Sequence, residues 1–162
     1  MILRLFLICL FSSTAWAQRT DSTLEAGTWR LGGGAAITYA AATGRVIRLT
    51  PDFEYFVWEN VSFGLAGELT FLETSTSTGV GPLASWAFWN PKPWSVFLSQ
   101  GFRQFGSQSF EYWVSYSKLG ARYFLNPFIA FGPELVYAYR LATRDIPSDS
   151  NTGIVFYFSI FL

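Results

Sequence analysis

From about residue 27 onward the side chains sort by position: bulky apolar groups keep to one side of a two-residue period, and charges keep to the other. One side collects Trp29, Leu31, Ile37 and Tyr39, then Ile47, Leu49, Phe53, Tyr55 and Val57, then Phe63, Leu65, Leu69 and Phe71. It continues through Val80, Trp86, Phe88, Leu119, Tyr123, Ile129, Phe131, Leu135, Tyr137 and Tyr139 to Ile154, Phe156, Phe158, Ile160 and Leu162. The opposite side holds Arg30, Arg48, Asp52, Glu54, Glu68, Arg103, Lys118, Arg122, Glu134 and Arg140, diluted by Gly32, Gly34, Ala36, Gly64, Ala66, Gly120, Ala130 and Gly132. A period of two belongs to extended strands, whose successive side chains point to opposite faces. No stretch carries a helical stripe, so the fold is expected to be all-β.

Turn-forming residues divide this pattern at Thr43-Gly44, Trp58-Glu59-Asn60, Ser75 to Thr78, Asn90 to Pro93, Gly106 to Ser109, Asn126-Pro127 and Ile146 to Asn151. The breaks predict eight strands at 27–41, 45–57, 61–73, 79–89, 94–105, 111–125, 128–142 and 152–162. An even number joined by short links suits an antiparallel up-and-down barrel, in which the first and last strands meet antiparallel. Pro51, Pro82 and Pro133 fall on the apolar side within strands, where each deletes a ladder hydrogen bond, so local bulges are expected there. The fifth strand mixes Gln100 and Gln104 with Leu98 and Phe102, which predicts a slip or bulge near Gly101.

Alternation alone does not say which face is inside, because a soluble ligand-binding barrel has the same period with its apolar side inward. Composition separates the two. A water-facing exterior is dense in Lys and Glu, whereas this polar side has about one charge per strand among small residues, and the whole chain is 14% charged. Such a face suits a crowded lumen, so a transmembrane barrel is predicted. Six cations (Arg30, Arg48, Arg103, Lys118, Arg122, Arg140) would then face four anions (Asp52, Glu54, Glu68, Glu134) inside it. Each needs a partner, since an isolated charge in a low-dielectric interior costs several kcal/mol. Arg48, Arg122 and Arg140 are the expected partners of Asp52, Glu54 and Glu68, and an apolar replacement of Glu134 or Arg122 is expected to lower stability.

Residues 1–17 have a cation at Arg4, an apolar run from Leu5 to Phe11, and Ala15-Trp16-Ala17, which fits small-x-small cleavage by a secretory signal peptidase. Residues 18–162 are then one exported domain beginning at Gln18. The apolar run is shorter than the roughly 20 residues of a spanning helix. Cys9, the one cysteine, lies inside this signal and the chain contains no histidine, so a thiol nucleophile, a thiolate metal site and a neutral-pH imidazole base are absent from the mature chain. No enzyme activity, cofactor or metal is expected. With 11 cations against 11 anions there is no basic surplus of the kind that nucleic acid selects. Gly32-Gly33-Gly34 has no following helix and is read as a tightly packed or curved strand, not a phosphate loop. Trp29, Trp58, Trp89, Trp94 and Trp113 are read as interfacial girdles.

The segment from Leu49 to Leu65 runs an aromatic-rich strand through Trp58-Glu59-Asn60 into a Gly64-containing strand; Leu119 to Pro127 and Phe156-Tyr157-Phe158 follow similar patterns. In these segments the chain resembles the small eight-stranded outer-membrane barrels of Gram-negative bacteria, particularly the compact family common in Bacteroidota. The resemblance spans nearly all of the mature chain, and each motif is degenerate. It departs at Leu162, where that family most often ends in Phe. It implies residence in the outer membrane, lipid as the surrounding partner, insertion by the barrel-assembly machinery through the last strand, and termini and three tight turns on the periplasmic side. The loops near 41–45, 73–79, 105–111 and 142–152 would face outward from the cell. The role expected is structural or interactive, porin-like in form with a filled lumen. A narrow ion or small-solute conduit and a soluble periplasmic lipocalin-like barrel are the alternatives.

Overall fold

The computed structural model describes residues 24–40, 44–72, 75–106, 111–143 and 147–162, with the backbone alone at 38–40 and 44. The expected signal peptide at 1–17, the start at Gln18, the outward side chain of Tyr39 and the loop tips at 41–43, 73–74, 107–110 and 144–146 lie outside this description. Eight strands form a closed antiparallel barrel in sequential order: β1 (Trp29–Ala40), β2 (Gly44–Trp58), β3 (Val61–Phe71), β4 (Thr76–Trp89), β5 (Trp94–Gly106), β6 (Glu111–Asn126), β7 (Ile129–Arg140) and β8 (Asp149–Phe161). Closure runs from Arg30 opposite Phe161 to Ala35 opposite Phe156, and Trp29 and Leu162 exchange backbone hydrogen bonds at 3.0 and 2.8 Å.

Two strands begin earlier than the turn signals suggest. Thr76 to Thr78 pair with β3, and Asp149 to Asn151 pair with β7. Both segments stand at the loop end of the barrel and are exposed or half-buried there, so they carry no apolar alternation for sequence reading to detect.

Three tight turns close the other end. Asn60 occupies the left-handed region at φ 65°, which Asn tolerates better than most side chains. At the third turn the Asn126 side chain accepts a hydrogen bond from the Phe128 amide at 2.8 Å. Register shifts sit beside these turns, at Phe56/Trp58, Ala87/Trp89 and Phe124/Asn126. None lies where it was expected. The β4–β5 and β5–β6 registers run through Gly101 without a slip, and Gln100 and Gln104 do face outward. Pro51, Pro82 and Pro133 are exposed as expected, but each occupies a gap in one ladder whose register is unchanged across it. Gly81 and Gly132 stand immediately before two of these prolines, and a Cβ there would collide with the carbonyl of Phe102 or Ala121 on the neighbouring strand. Each proline thus costs ladder pairing without an inserted residue.

The faces separate as the period requires. Leu65, Val80, Trp86, Ile154 and Phe156 are exposed on the outside, while Arg30, Glu54, Phe97, Tyr116, Arg122, Ser159 and Phe161 are buried inside. Inward rings lie over inward glycines on neighbouring strands: Phe97 over Gly120, Tyr116 over Gly101, and Phe105 over Gly79. This alternation of large and small is how a narrow barrel fills its bore. At the tight-turn end Leu24, Phe56, Ala87, Phe97, Ala130 and Phe161, with Phe124 against them, form an apolar floor. Leu24 is held there by its carbonyl, which accepts from the Asn60 amide at 2.8 Å.

Candidate functional site

Above this floor the lumen holds a charge network. Arg30 of β1 is its hub: Nη2 lies 3.1 Å from Asp52 Oδ1 and contacts Glu54 Oε1, and Nη1 donates to Ser159 Oγ at 3.4 Å. Asp52 and Glu54 sit two residues apart on β2, so both project inward opposite Gly32 and Arg30 of β1. Glu54 also accepts from Ser62 of β3 and, at 3.0 Å, from Ser85 of β4, which is itself 2.7 Å from Ser99 of β5. Lys118 of β6 bridges the other side, with Nζ 3.6 Å from Asp52 Oδ2 and 3.4 Å from Glu134 Oε2. These ionised groups are nearly inaccessible, and their mutual pairing is what makes burial tolerable.

A second cluster lies nearer the loop end. Glu68 receives Arg103 Nη1 at 2.6 Å and the Thr70 hydroxyl at 3.1 Å. Arg48 Nε stands 3.1 Å from Glu68 Oε1 without the alignment of a hydrogen bond. The Arg103 guanidinium covers the Tyr116 ring at 4.0 Å, a favourable cation–π geometry. Accessibility rises along the bore, from 1% for the Arg30 side chain to 38% for Arg48, so the network is dry at its centre and wetter towards the loops.

Of the ten charges singled out, the structure brings nine into ion pairs; Arg48 meets Glu68 as expected, and the partners of Asp52 and Glu54 differ from those expected. Asp52 and Glu54 are met by Arg30 and Lys118, not by Arg48, Arg122 or Arg140. Arg140 stands at the strand end, where Nη2 is 3.7 Å from Asp149 and Nε donates to the Pro147 carbonyl at 3.3 Å. Arg122, fully buried, has no anion within 4 Å among the described residues; its guanidinium stacks over Phe97 at 3.6 Å, and Nε and Nη2 lack hydrogen-bond partners.

Sequence reasoning missed the neutral members. Tyr157 of β8 donates to both Asp52 oxygens, at 2.8 and 3.0 Å, and a Cβ at Gly32 would clash with its hydroxyl. The glycine run of β1 thus makes room for the network's centre. Tyr157, Ser62, Ser85, Ser99 and Ser159 all occupy inward positions, and polarity at those positions was the available signal. The arrangement neutralises charge and fills space. Its carboxylates are met by cations and, at Asp52, Glu54 and Glu68, by hydroxyls as well.

No family model matches the chain, and no curated protein matches it. Among solved structures it is similar to the N-terminal β-barrel domain of Pseudomonas aeruginosa OprF, with a TM-score of 0.61 and 10% identity over 85% of this chain and 98% of that one. At that identity the likeness is one of fold.

Proposed function

We propose that this chain is an integral outer-membrane β-barrel, non-enzymatic, whose filled lumen makes it a structural or interaction element of the cell envelope. The observation that carries the reading is the inverted surface. Large apolar side chains are exposed on all eight strands, with Ile154 and Phe156 above 70%, while ionised groups are buried inside. A water-soluble monomer rarely leaves such an apolar expanse uncovered, whereas lipid requires it.

The girdles support the same reading. Trp29, Trp58, Trp89 and Trp94 are exposed around the tight-turn end, and Trp113, Tyr137 and Tyr139 lie towards the other. About ten residues of β5 separate Trp94 from Gln104, which pairs with Trp113. At roughly 3.3 Å per residue and a tilt near 40° this is about 25 Å, the height of an outer-membrane apolar band. The fold neighbour is itself a β-barrel domain. Kinship with the Bacteroidota-type family, export by residues 1–17, and insertion through β8 by the barrel-assembly machinery belong to the same proposal.

The test is fractionation of an expressing Gram-negative host, followed by semi-native electrophoresis. The proposal expects an outer-membrane band whose mobility changes on boiling. A soluble periplasmic protein would overturn it and favour a ligand-binding barrel instead.

A further inference from the structure

Among the described residues the apolar belt is broken at mid-depth at one place. Midway along β5, Gln100 faces outward between Leu98 and Phe102, opposite Ser117 of β6, with Ser115 one outward position further on. Gln100 Nε2 donates to Ser115 Oγ at 3.0 Å, and the Ser117 hydroxyl donates to Gln100 Oε1. The second amide hydrogen of Gln100 and the hydroxyl hydrogen of Ser115 have no acceptor among the described residues. If the belt faces hydrocarbon, these donors have no water to turn to at mid-depth.

The surroundings suit close approach. Ala84 of β4 pairs with Gln100, and Ala84, Ser115, Ser117 and Ala121 are small outward residues flanked by exposed Leu98, Phe102 and Leu119. Polar groups set among small residues are the usual adhesive between membrane-spanning elements.

We propose that the β4–β6 face binds a second copy of this chain about a two-fold axis along the membrane normal, with Gln100 and Ser117 beside the axis. This rests on the membrane reading above. Two copies inserted in the same direction present each residue to residues at its own depth, so such an interface must complement itself level by level. Glutamine does so: its amide is donor and acceptor together, and Gln100 of each copy reaches Gln100, Ser115 or Ser117 of the other. The flanking levels are apolar and uncharged, so they also pair with themselves. The nearest charge, Glu111, lies at the strand end, where Gln104 Nε2 contacts it at 3.5 Å and water screens it from its counterpart.

The experiment uses the refolded chain in dimyristoylphosphatidylcholine vesicles, with energy transfer between labelled copies followed against the protein-to-lipid ratio. The wild type is expected to dimerise, and the combined Gln100→Leu, Ser115→Ala, Ser117→Ala variant to dissociate about tenfold more readily while keeping its heat-modifiable mobility. A second readout covers a variant that fails to fold. In a Cys9→Ser background, Ser117→Cys is expected to form a disulfide-linked dimer, and Phe53→Cys on the opposite wall is not. Inserted protein that stays monomeric at every ratio, or equal cross-linking from both cysteines, overturns the dimer. Protein that does not associate with the vesicles at all overturns the membrane reading and the dimer with it.

Discussion

The Tyr157 hydroxyl of β8 donates to both carboxylate oxygens of Asp52 on β2, at 2.8 and 3.0 Å, spanning the position of β1, which lies between those strands. The contact braces the barrel beside its closing seam. Tyr157→Phe removes a hydrogen bond to a buried charge and is expected to cost about 1.5–3 kcal/mol. Urea titration of the refolded protein in vesicles checks this as a lower unfolding midpoint at unchanged slope.

Glu54 draws β1, β3 and β4 together through Arg30, Ser62 and Ser85. Glu54→Leu leaves Arg30 with Asp52 as its one anion within 4 Å among the described residues and is expected to destabilise by about 3 kcal/mol or more, because a buried cation loses compensation. The double variant Arg30→Met, Glu54→Leu is expected to recover part of that loss, with a coupling of about 1–3 kcal/mol in a double-mutant cycle. Strict additivity of the two changes would show that the pair does not interact as drawn.

Glu134 and Arg122 part company once their surroundings are known. Glu134→Leu deprives Lys118 of a partner 3.4 Å away and lowers the melting temperature. Arg122 has two unbonded nitrogens and no anion within 4 Å among the described residues, so Arg122→Met is expected to change stability by no more than about 1 kcal/mol, or to raise it. Thermal melts of both variants, side by side, decide it. A large loss in Arg122→Met would mean that its stacking on Phe97 or its longer-range attraction matters more than its unmade hydrogen bonds.

Gly81→Ala and Gly132→Ala place a Cβ against a neighbouring strand's carbonyl, where nothing flexible can give way. Both are expected to reduce sharply the fraction that reaches the heat-modifiable form. Gly106→Ala, whose Cβ would meet nothing within 4 Å, is the matched control and should fold normally.

The filled bore predicts no stable conductance in planar bilayers. Arg30, Tyr157, Tyr116 and Arg103 occupy the lumen, and Leu24, Phe56 and Phe161 close its floor. Long-lived single-channel openings in the wild type would replace the filled-lumen reading with that of a conduit.

Much of the fold was legible from the chain because the strand period is short and local. Residues 45–57, 61–73 and 94–105 were assigned as strands to within two residues of β2, β3 and β5, since each carries its own alternation and its own turn residues. Where strands leave the apolar belt, at Thr76 to Thr78 and Asp149 to Asn151, that signal vanishes and so did the assignment. The irregularities of the ladder were not legible either. Proline announces a missing donor, but whether the chain bulges depends on the neighbouring strand, and at Pro51, Pro82 and Pro133 the register continues unchanged.

The sequence by itself determined which face each residue takes, and therefore that Arg30, Asp52, Glu54, Lys118, Arg122 and Glu134 would share one interior. The shared face follows from the backbone, whose pleat alternates side chains whatever the rest of the molecule does, and its placement inside follows from sparse charge set among small residues. Only the closed structure decided who meets whom: Arg30 and Lys118 take the anions of β2, Tyr157 reaches Asp52 past an intervening strand, and Arg122 is left stacked on Phe97. Those pairings depend on the stagger of eight strands around a ring and on the glycines that make room at its centre. Both are set by closure, a property of no single segment.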